Sequence, residues 1–511
     1  MQLPILSILI FLPLLACVPL LFLDQKQDKV LKGYTLVVSL AEFLLSLPLW
    51  FKFNEANPGM QFVERYDWLP TYGISYFVGV DGFSLLLIML TTFLTPICVL
   101  ATWEDVKFRV KEFMICLLFM MTGMIGVFAS LDLFLFYVFW ELQLIPMYLL
   151  IGVWGNPARR VYAAIKFFLY TMFGSLLMLV AILVLYFHHG QATGTYTFDL
   201  LKLYGLKLPF QMQFWMFLAF GLAFAIKVPM FPFHTWLPDA HTEAPTVGSV
   251  ILAAVLLKMG TYGFLRFNMP LFPEAAHYFV PLFSVLAIIG IVYGALVSMV
   301  QKDLKRLIAF SSVSHLGFVM LGLFSYTVQG IQGGIIQMIN HGLSTGALFL
   351  IVGCIYERRH TRMIADFGGL STPMPIYATI FMIVTLSSIG LPGLNGFVGE
   401  FLILLGTFQV NKLYAAIGAT GVIFAACYML WMFQRVMFGE VVHEENRLLK
   451  DLSWREIGYF IPLLLFIVWI GVYPSTFLNK TKATTAQFVA MMEKAKGSQL
   501  TLSHFFKGEA R

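Results

Sequence analysis

Residues 221–245 read GLAFAIKVPMFPFHTWLPDAHTEAP. Lys227 stands inside an apolar run and is followed by Pro229, Pro232 and Pro238. A proline in a helix interior removes a hydrogen bond and clashes with the preceding turn, so this run interrupts a helix. A charged residue where a membrane helix is broken points to a transporter's working site. A lysine at a helix end can instead snorkel to the headgroups. Here apolar sequence surrounds Lys227, and His234, Asp239, His241 and Glu243 follow it, which favours the functional reading.

Working outward, apolar residues make up 59% of the 511 and charged residues only 12%. A soluble domain carries roughly 25% charged residues, so the chain is a polytopic membrane protein. The formal charge of +6 follows membrane topology and gives no support for a nucleic-acid partner. The cysteines, Cys17, Cys98, Cys116, Cys354 and Cys427, lie far apart in apolar segments. Without a CxxC, CxxCH or His/Cys cluster, iron–sulfur, zinc and c-type haem sites lack ligands. No GxGxxG or Walker loop supports nucleotide binding. The N-terminal MQLPILSILIFLPLLACVPLLFL has no basic residues before its apolar run and reads as a first transmembrane helix rather than a signal peptide.

Apolar runs of about 20 residues number fourteen, centred near residues 14, 42, 92, 121, 143, 175, 220, 254, 289, 315, 342, 391, 425 and 466. The seventh and twelfth are interrupted, the latter at Gly390-Leu391-Pro392-Gly393. Lysine and arginine crowd into one set of alternate loops, for example Lys107, Arg109 and Lys111, or Arg358, Arg359 and Arg362. The positive-inside rule then places both termini outside the cytoplasm.

Ionisable residues inside the spans each cost roughly 2.5–3.5 kcal/mol at a helix centre and need a reason to be there. Glu141 lies nine residues past Asp132, about 14 Å along a helix. Lys227 is on the seventh span, Lys258 on the eighth, His315 on the tenth and His341 on the eleventh, and Glu400 follows the second break. Single histidines are often packing residues, and a Glu/Lys pair can be purely structural. A series of titratable groups at similar depth is what a proton relay needs. Desolvation favours the neutral form of each group and pairing favours the charged form, so protons exchange when pairing changes.

The spacing indicates a repeat. Glu141 to Lys227 spans 86 residues and His315 to Glu400 spans 85, and a shift of about 173 carries the fourth-to-eighth spans onto the ninth-to-thirteenth. Five helices are an odd number, so the copies are inverted in the membrane, a recurring transporter design. The expected organisation is all-α in a single membrane domain, 1–511. Flanking helices occupy 1–104, the first repeat 112–266, the second 275–440, and the last helix with its tail 456–511.

Four stretches, FWELQLIPMYLLIGVWG, the 41 residues from Ala223 to Gly263, QKDLKRLIAFSSVSHLGFV and LPGLNGFVGEF, together carry a resemblance. They resemble the antiporter-like subunits of respiratory complex I, with subunit M, the mitochondrial subunit 4 equivalent, as the nearest type. The resemblance implies that Glu141 pairs with Lys227, that Lys258 is the central relay lysine, that His315 and His341 lie on the polar axis, and that Glu400 ends it. His234, His241 and Lys166 are possible supporting residues. Glutamate rather than lysine at 400, and a chain ending within about 35 residues of the last span, favour the M type. The implied activity is proton translocation as a subunit of NADH:quinone oxidoreductase. No cofactor is implied in this chain, while NADH, FMN, iron–sulfur clusters and quinone belong to other subunits. Its partners would be neighbouring membrane subunits, antiporter-like ones included, and lipids. It would sit as a multi-pass protein in an energy-transducing membrane, the bacterial inner membrane first. The alternative is a subunit of a multi-subunit cation/proton antiporter; a purely structural scaffold fits the buried charges poorly.

Overall fold

The protein is seen here as a computed structural model, which describes residues 3–508, with side chains to residue 495. Among the described residues, thirteen helices are long and apolar enough to cross a membrane. They are α1 (Ile5–Phe22), α2 (Asp28–Phe51), α3 (Gly82–Asp105), α4 (Val110–Ala129), α5 (Leu133–Trp154), α6 (Arg160–Thr193) and α7 (Phe210–Lys227), then α8 (Thr246–Leu271), α9 (Val280–Met299), α10 (Leu304–Leu323), α11 (Val328–Arg359), α13 (Lys412–Met437) and α14 (Trp454–Val472). The span between α11 and α13, α12, consists of two shorter apolar helices, Pro375–Ser388 and Asn395–Val410, which completes fourteen crossings. A last helix, α15 (Ser475–Gly508), follows α14.

Aspartates set several helix starts. Asp81 accepts from the N–H groups of Phe83 and Ser84 and forms a capping box at the head of α3. Asp132 caps α5 in the same way, and Asp303 caps α10. Both Asp132 and Asp303 also sit in isolated antiparallel bridges, to Asp199 and to Met363. They lie 171 residues apart, close to the offset between Glu141 and His315.

The structure departs from the sequence expectation in four places. The α2–α3 connection is a β-hairpin, β1 (Gln61–Leu69) with β2 (Ile74–Val80), a small addition to an otherwise helical chain. Of the three prolines after Lys227, Pro229 and Pro232 lie in the break, whereas Pro238 falls in the first turn of the short helix Trp236–Glu243. There the missing N–H has no partner to lose. Span α5 is broken too: it bends at Gln143, between Leu133–Leu142 and Leu144–Trp154. Pro146 cannot donate back to Leu142, which explains the bend directly behind Glu141. The tail after α14 is largely helical, with α15 leaning on α3 and α11.

The central stretches of α8 and α11 are fully buried and that of α10 nearly so, while α1, α2, α13 and α14 turn leucines and phenylalanines outward. Small residues allow the close approaches expected between membrane helices. A Cβ on Gly260 of α8 would stand 2.7 Å from the Phe224 carbonyl oxygen of α7, and one on Gly317 of α10 would stand 2.7 Å from the Ala287 oxygen of α9.

A buried ion pair fastens α3 to α8: the Arg266 guanidinium donates to the Asp81 carboxylate and, from Nε, to the Tyr262 hydroxyl at 3.0 Å. Asp81→Ala removes the α3 cap and leaves Arg266 buried without its counter-charge, a loss of about 3–5 kcal/mol. The expected outcome is a sharp fall in assembled subunit and in the thermal midpoint of the complex. Wild-type values for both in Asp81→Ala membranes contradict this account.

Candidate functional site

The centre of the molecule is Lys258 on α8. Two π-helical stretches, Leu252–Leu256 and Phe264–Asn268, flank its turn. In the first, the Leu257 N–H turns from Ala253 to the carbonyl of Leu252. The Ala253 oxygen accepts from Lys258 Nζ at 2.5 Å. The π stretch thus supplies an acceptor for a lysine buried among apolar side chains. Nζ also lies 2.6 Å from Nδ1 of His341 on α11. When Lys258 is protonated it donates this bond, and His341 then carries its own proton on Nε2.

The His341 ring centroid is 5.9 Å from that of His315 on α10. His315 Nδ1 lies 3.0 Å from Glu400 Oε1, and Gln337 Nε2 donates to the same oxygen at 3.2 Å. Glu400 is in the second half of α12, just past the break at Gly390-Leu391-Pro392-Gly393. Gly390 and Gly393 take left-handed conformations there, and a Cβ on Gly390 would approach Glu400 Oε2 to 3.0 Å. Asn395 organises the break. Its Oδ1 accepts from the Gly396 N–H at 3.0 Å and from Ser387 Oγ at 2.5 Å, and its Nδ2 donates to Ser344 Oγ at 3.2 Å. Asn340 Nδ2 donates to the Asn395 carbonyl at 2.7 Å. His315, His341, Asn340, Ser344 and Ser387 enclose a cavity barely large enough for one water.

The other half of the site is open. Glu141 lies beside Tyr137 and Ser175, and its Oε1 has no hydrogen-bond partner among the described residues. Lys227, at the end of α7, makes no hydrogen bond through Nζ either. Instead Nζ sits 5.3 Å from the ring centre of Trp140 and 5.7 Å from that of Phe167, in cation–π range. No nitrogen–oxygen contact within 4.0 Å joins Glu141 and Lys227, so the two interact through space but not as a closed pair.

The three supporting candidates divide. Lys166 binds Asp239 at 2.7 Å and holds the short helix Trp236–Glu243 against α6. The His234 ring stacks among Phe231, Tyr293 and Phe310. His241 lies flat on Phe349, ring centres 4.7 Å apart, and neither of its ring nitrogens has a partner. Sequence reasoning passed over Gln337, Asn395 and Lys305. The first two are uncharged and gave no signal beyond facing the second break. Lys305 stands at the edge of the basic stretch Lys302–Arg306 and reads from sequence as a loop cation, yet its Nζ is buried and donates to the Ala244 carbonyl. It stands at the floor of a cavity of about 300 Å³ shared with Asp105, Arg160, Glu243 and Arg362. Among the described residues no group of three or more His, Cys, Asp or Glu side chains gathers that could hold a metal ion. Acids and bases in series can pass protons.

Residues 130–444 match the family described as "NADH:quinone oxidoreductase/Mrp antiporter, TM", and residues 7–127 match "NADH-ubiquinone oxidoreductase chain 4, amino terminus". NADH-quinone oxidoreductase subunit M of Rhodobacter capsulatus is 49% identical over 497 residues, covering 95% of this chain and 96% of that one. NADH-ubiquinone oxidoreductase chain 4 of Marchantia polymorpha is 47% identical over 486 residues, covering 95% and 97%. Among solved structures, a chain of respiratory complex I from Thermus thermophilus superposes with a TM-score of 0.87 at 34% identity, covering 95% of this chain and 99% of that one. A chain of the Mrp complex from Dietzia has the same fold, with a TM-score of 0.83 at 19% identity, covering 97% and 99%.

Asn395→Leu tests how the second break is held. The change removes the acceptor of the Gly396 N–H, at about 1–3 kcal/mol for a group left without a partner, while the Ser387 hydroxyl keeps Ser344 Oγ at 2.6 Å. Thermal unfolding of the complex is expected several degrees lower, with Asn395→Asp in between. An unchanged midpoint in Asn395→Leu overturns the organising role given to this side chain.

Proposed function

The chain belongs to the family of NADH-quinone oxidoreductase subunit M and NADH-ubiquinone oxidoreductase chain 4, and we propose that it moves protons along Glu141, Lys227, Lys258, His341, His315 and Glu400. The observation that carries this reading is the linked series on its second half. Lys258 touches His341, the His341 and His315 rings are neighbours, and His315 touches Glu400. A neutral imidazole accepts a proton at one nitrogen and gives one up at the other, so each histidine can hand on what it receives. Glu400 ends the series as a carboxyl group beside a helix break.

The open first half suits a coupling role. Lys227 has aromatic faces around it and a carboxylate at a distance. A proton or field change that draws Glu141 and Lys227 together, or lets them part, alters the charge felt at Lys258 on the adjoining helix. The two inverted units are then 112–266, with Glu141, Lys227 and Lys258, and 275–440, with His315, His341 and Glu400, and the Lys258–His341 contact joins them. Electron transfer from NADH through FMN and iron–sulfur clusters to quinone takes place in other subunits, which together with neighbouring antiporter-like subunits and lipids are its partners. The loops rich in lysine and arginine face the cytoplasm and both termini lie outside it, in an energy-transducing membrane such as the bacterial plasma membrane.

Glu400→Gln keeps the shape and the His315 contact but cannot carry a proton. The variant is expected to assemble, yet NADH-driven proton uptake into inverted membrane vesicles, normalised to assembled complex, is expected to fall well below wild type. Uptake at the wild-type ratio removes Glu400 from the path.

A further inference from the structure

Outside this axis, α2 is polar on the side it buries. Lys32, Thr35, Ser39, Glu42 and Ser46, spaced three or four residues apart, all face inward, while Val37, Leu40, Leu44 and Leu45 face outward. Four of the five are satisfied. Lys32 Nζ donates to the carbonyls of Trp103 at 2.9 Å and Val106 at 2.7 Å. Thr35 and Ser39 donate to their own helix, and Ser46 Oγ meets Thr92 Oγ1 of α3 at 2.9 Å. Glu42 is the exception: it is 0% exposed, and neither carboxyl oxygen has a hydrogen-bond partner among the described residues.

Nothing nearby offsets a charge on it. Lys32 is ten residues away, about 15 Å along the helix, and holds the end of α3. Lys480 of α15 donates to the Trp50 carbonyl at the far end of α2, eight residues or about 12 Å past Glu42, and pairs there with Glu55. Of helices α1, α3 and α4 packed on α2, α1 carries no charged residue, α3 has only Glu104 and Asp105 in its last turn, and α4 has only Lys111 and Glu112 in its first. The remaining titratable groups on those helices are the thiols of Cys17, Cys98 and Cys116. An ionised carboxylate with no donor and no cation in an apolar interior is far too costly to persist, so the group takes up a proton.

We propose that Glu42 is a second proton-binding site, held as the neutral acid and loaded from the basic-loop side along Lys32, Thr35 and Ser39. Lys32 adjoins a cavity of about 820 Å³ lined by Trp103, Glu104, Asp105 and Arg455, which gives the file its open end. Past Ser46 an apolar cavity walled by Phe43, Trp50, Phe93 and Phe466 closes the other. Toward α11 the file meets only the apolar wall of that cavity, where Ile339 and Leu343 stand, so no polar side chain links the site to the Lys258 series there.

Infrared spectroscopy of the assembled complex tests this. The difference between wild type and Glu42→Gln is expected to show loss of one carbonyl stretch of a protonated carboxylic acid, a band that shifts when the wild type is moved into D2O. The double variant Thr35→Val, Ser39→Ala is expected to slow that shift several-fold. Loss of carboxylate bands instead overturns the neutral acid, and a band that never shifts, or shifts at the same rate in the double variant, overturns the route. If Glu42→Gln fails to assemble, N,N′-dicyclohexylcarbodiimide is applied to the wild-type complex in its membrane. A neutral acid gives its proton to one carbodiimide nitrogen as its oxygen adds to the central carbon, and acyl migration to nitrogen fixes the adduct as an N-acylurea. An adduct on the Glu42 peptide supports the proposal, and an unmodified Glu42 beside other labelled carboxyl groups in the spans overturns it.

Discussion

The contact between Lys258 Nζ and His341 Nδ1 is the constraint around which the rest is arranged. Each partner is buried in the middle of its helix, Lys258 at 0% and His341 at 3% exposure, far from the helix ends. A lysine in that position must find acceptors inside the protein. It finds one on its own helix, because a π stretch turns the Leu257 N–H away from the Ala253 carbonyl, and one across the seam in His341. The contact joins α8 to α11 at the centre of the molecule.

The titratable groups that do not stand on regular helix stand at interruptions of it. Glu141 is two residues before the bend in α5, Lys227 closes α7, Lys258 lies between π stretches, and Glu400 follows the break in α12. At Lys258 the irregularity frees a backbone acceptor that a regular helix would not offer. His315 and His341 need no such help, because a neutral imidazole is satisfied by one or two neighbours. Capping aspartates, Asp132 and Asp303, fix the starts of α5 and α10, the helices that carry Glu141 and His315.

Much of this was legible in the sequence because membrane insertion penalises each charge separately. Glu141, Lys227, Lys258 and Glu400 stood out as charges in apolar runs, and hydropathy gave the fourteen crossings. What escaped notice were features without charge or without apolar context. Gln337 and Asn395 cost too little as single residues to attract attention, yet they hold Glu400 and the second break. Lys305 was hidden by its place at the edge of a basic loop, and Glu42 by a helix whose outward face is wholly apolar. The hairpin between α2 and α3 pairs Gln61 with Val80 and Tyr66 with Tyr76 in a segment whose charges, Glu64, Arg65 and Asp67, read as loop. The distance between Glu141 and Lys227 could not come from sequence either: spacing gives the helix each residue is on, while the aromatic faces of Trp140 and Phe167 decide where the lysine head goes.

The central claim is that the Lys258–His341 seam carries protons between the halves. Its most direct measurement is the number of protons taken up per NADH oxidised by inverted vesicles whose assembled complex carries Lys258→Met. Methionine fills the space of the lysine stem and has no proton to give. The account predicts an assembled complex whose proton-to-NADH ratio is clearly below wild type. A wild-type ratio in assembled Lys258→Met complex contradicts it.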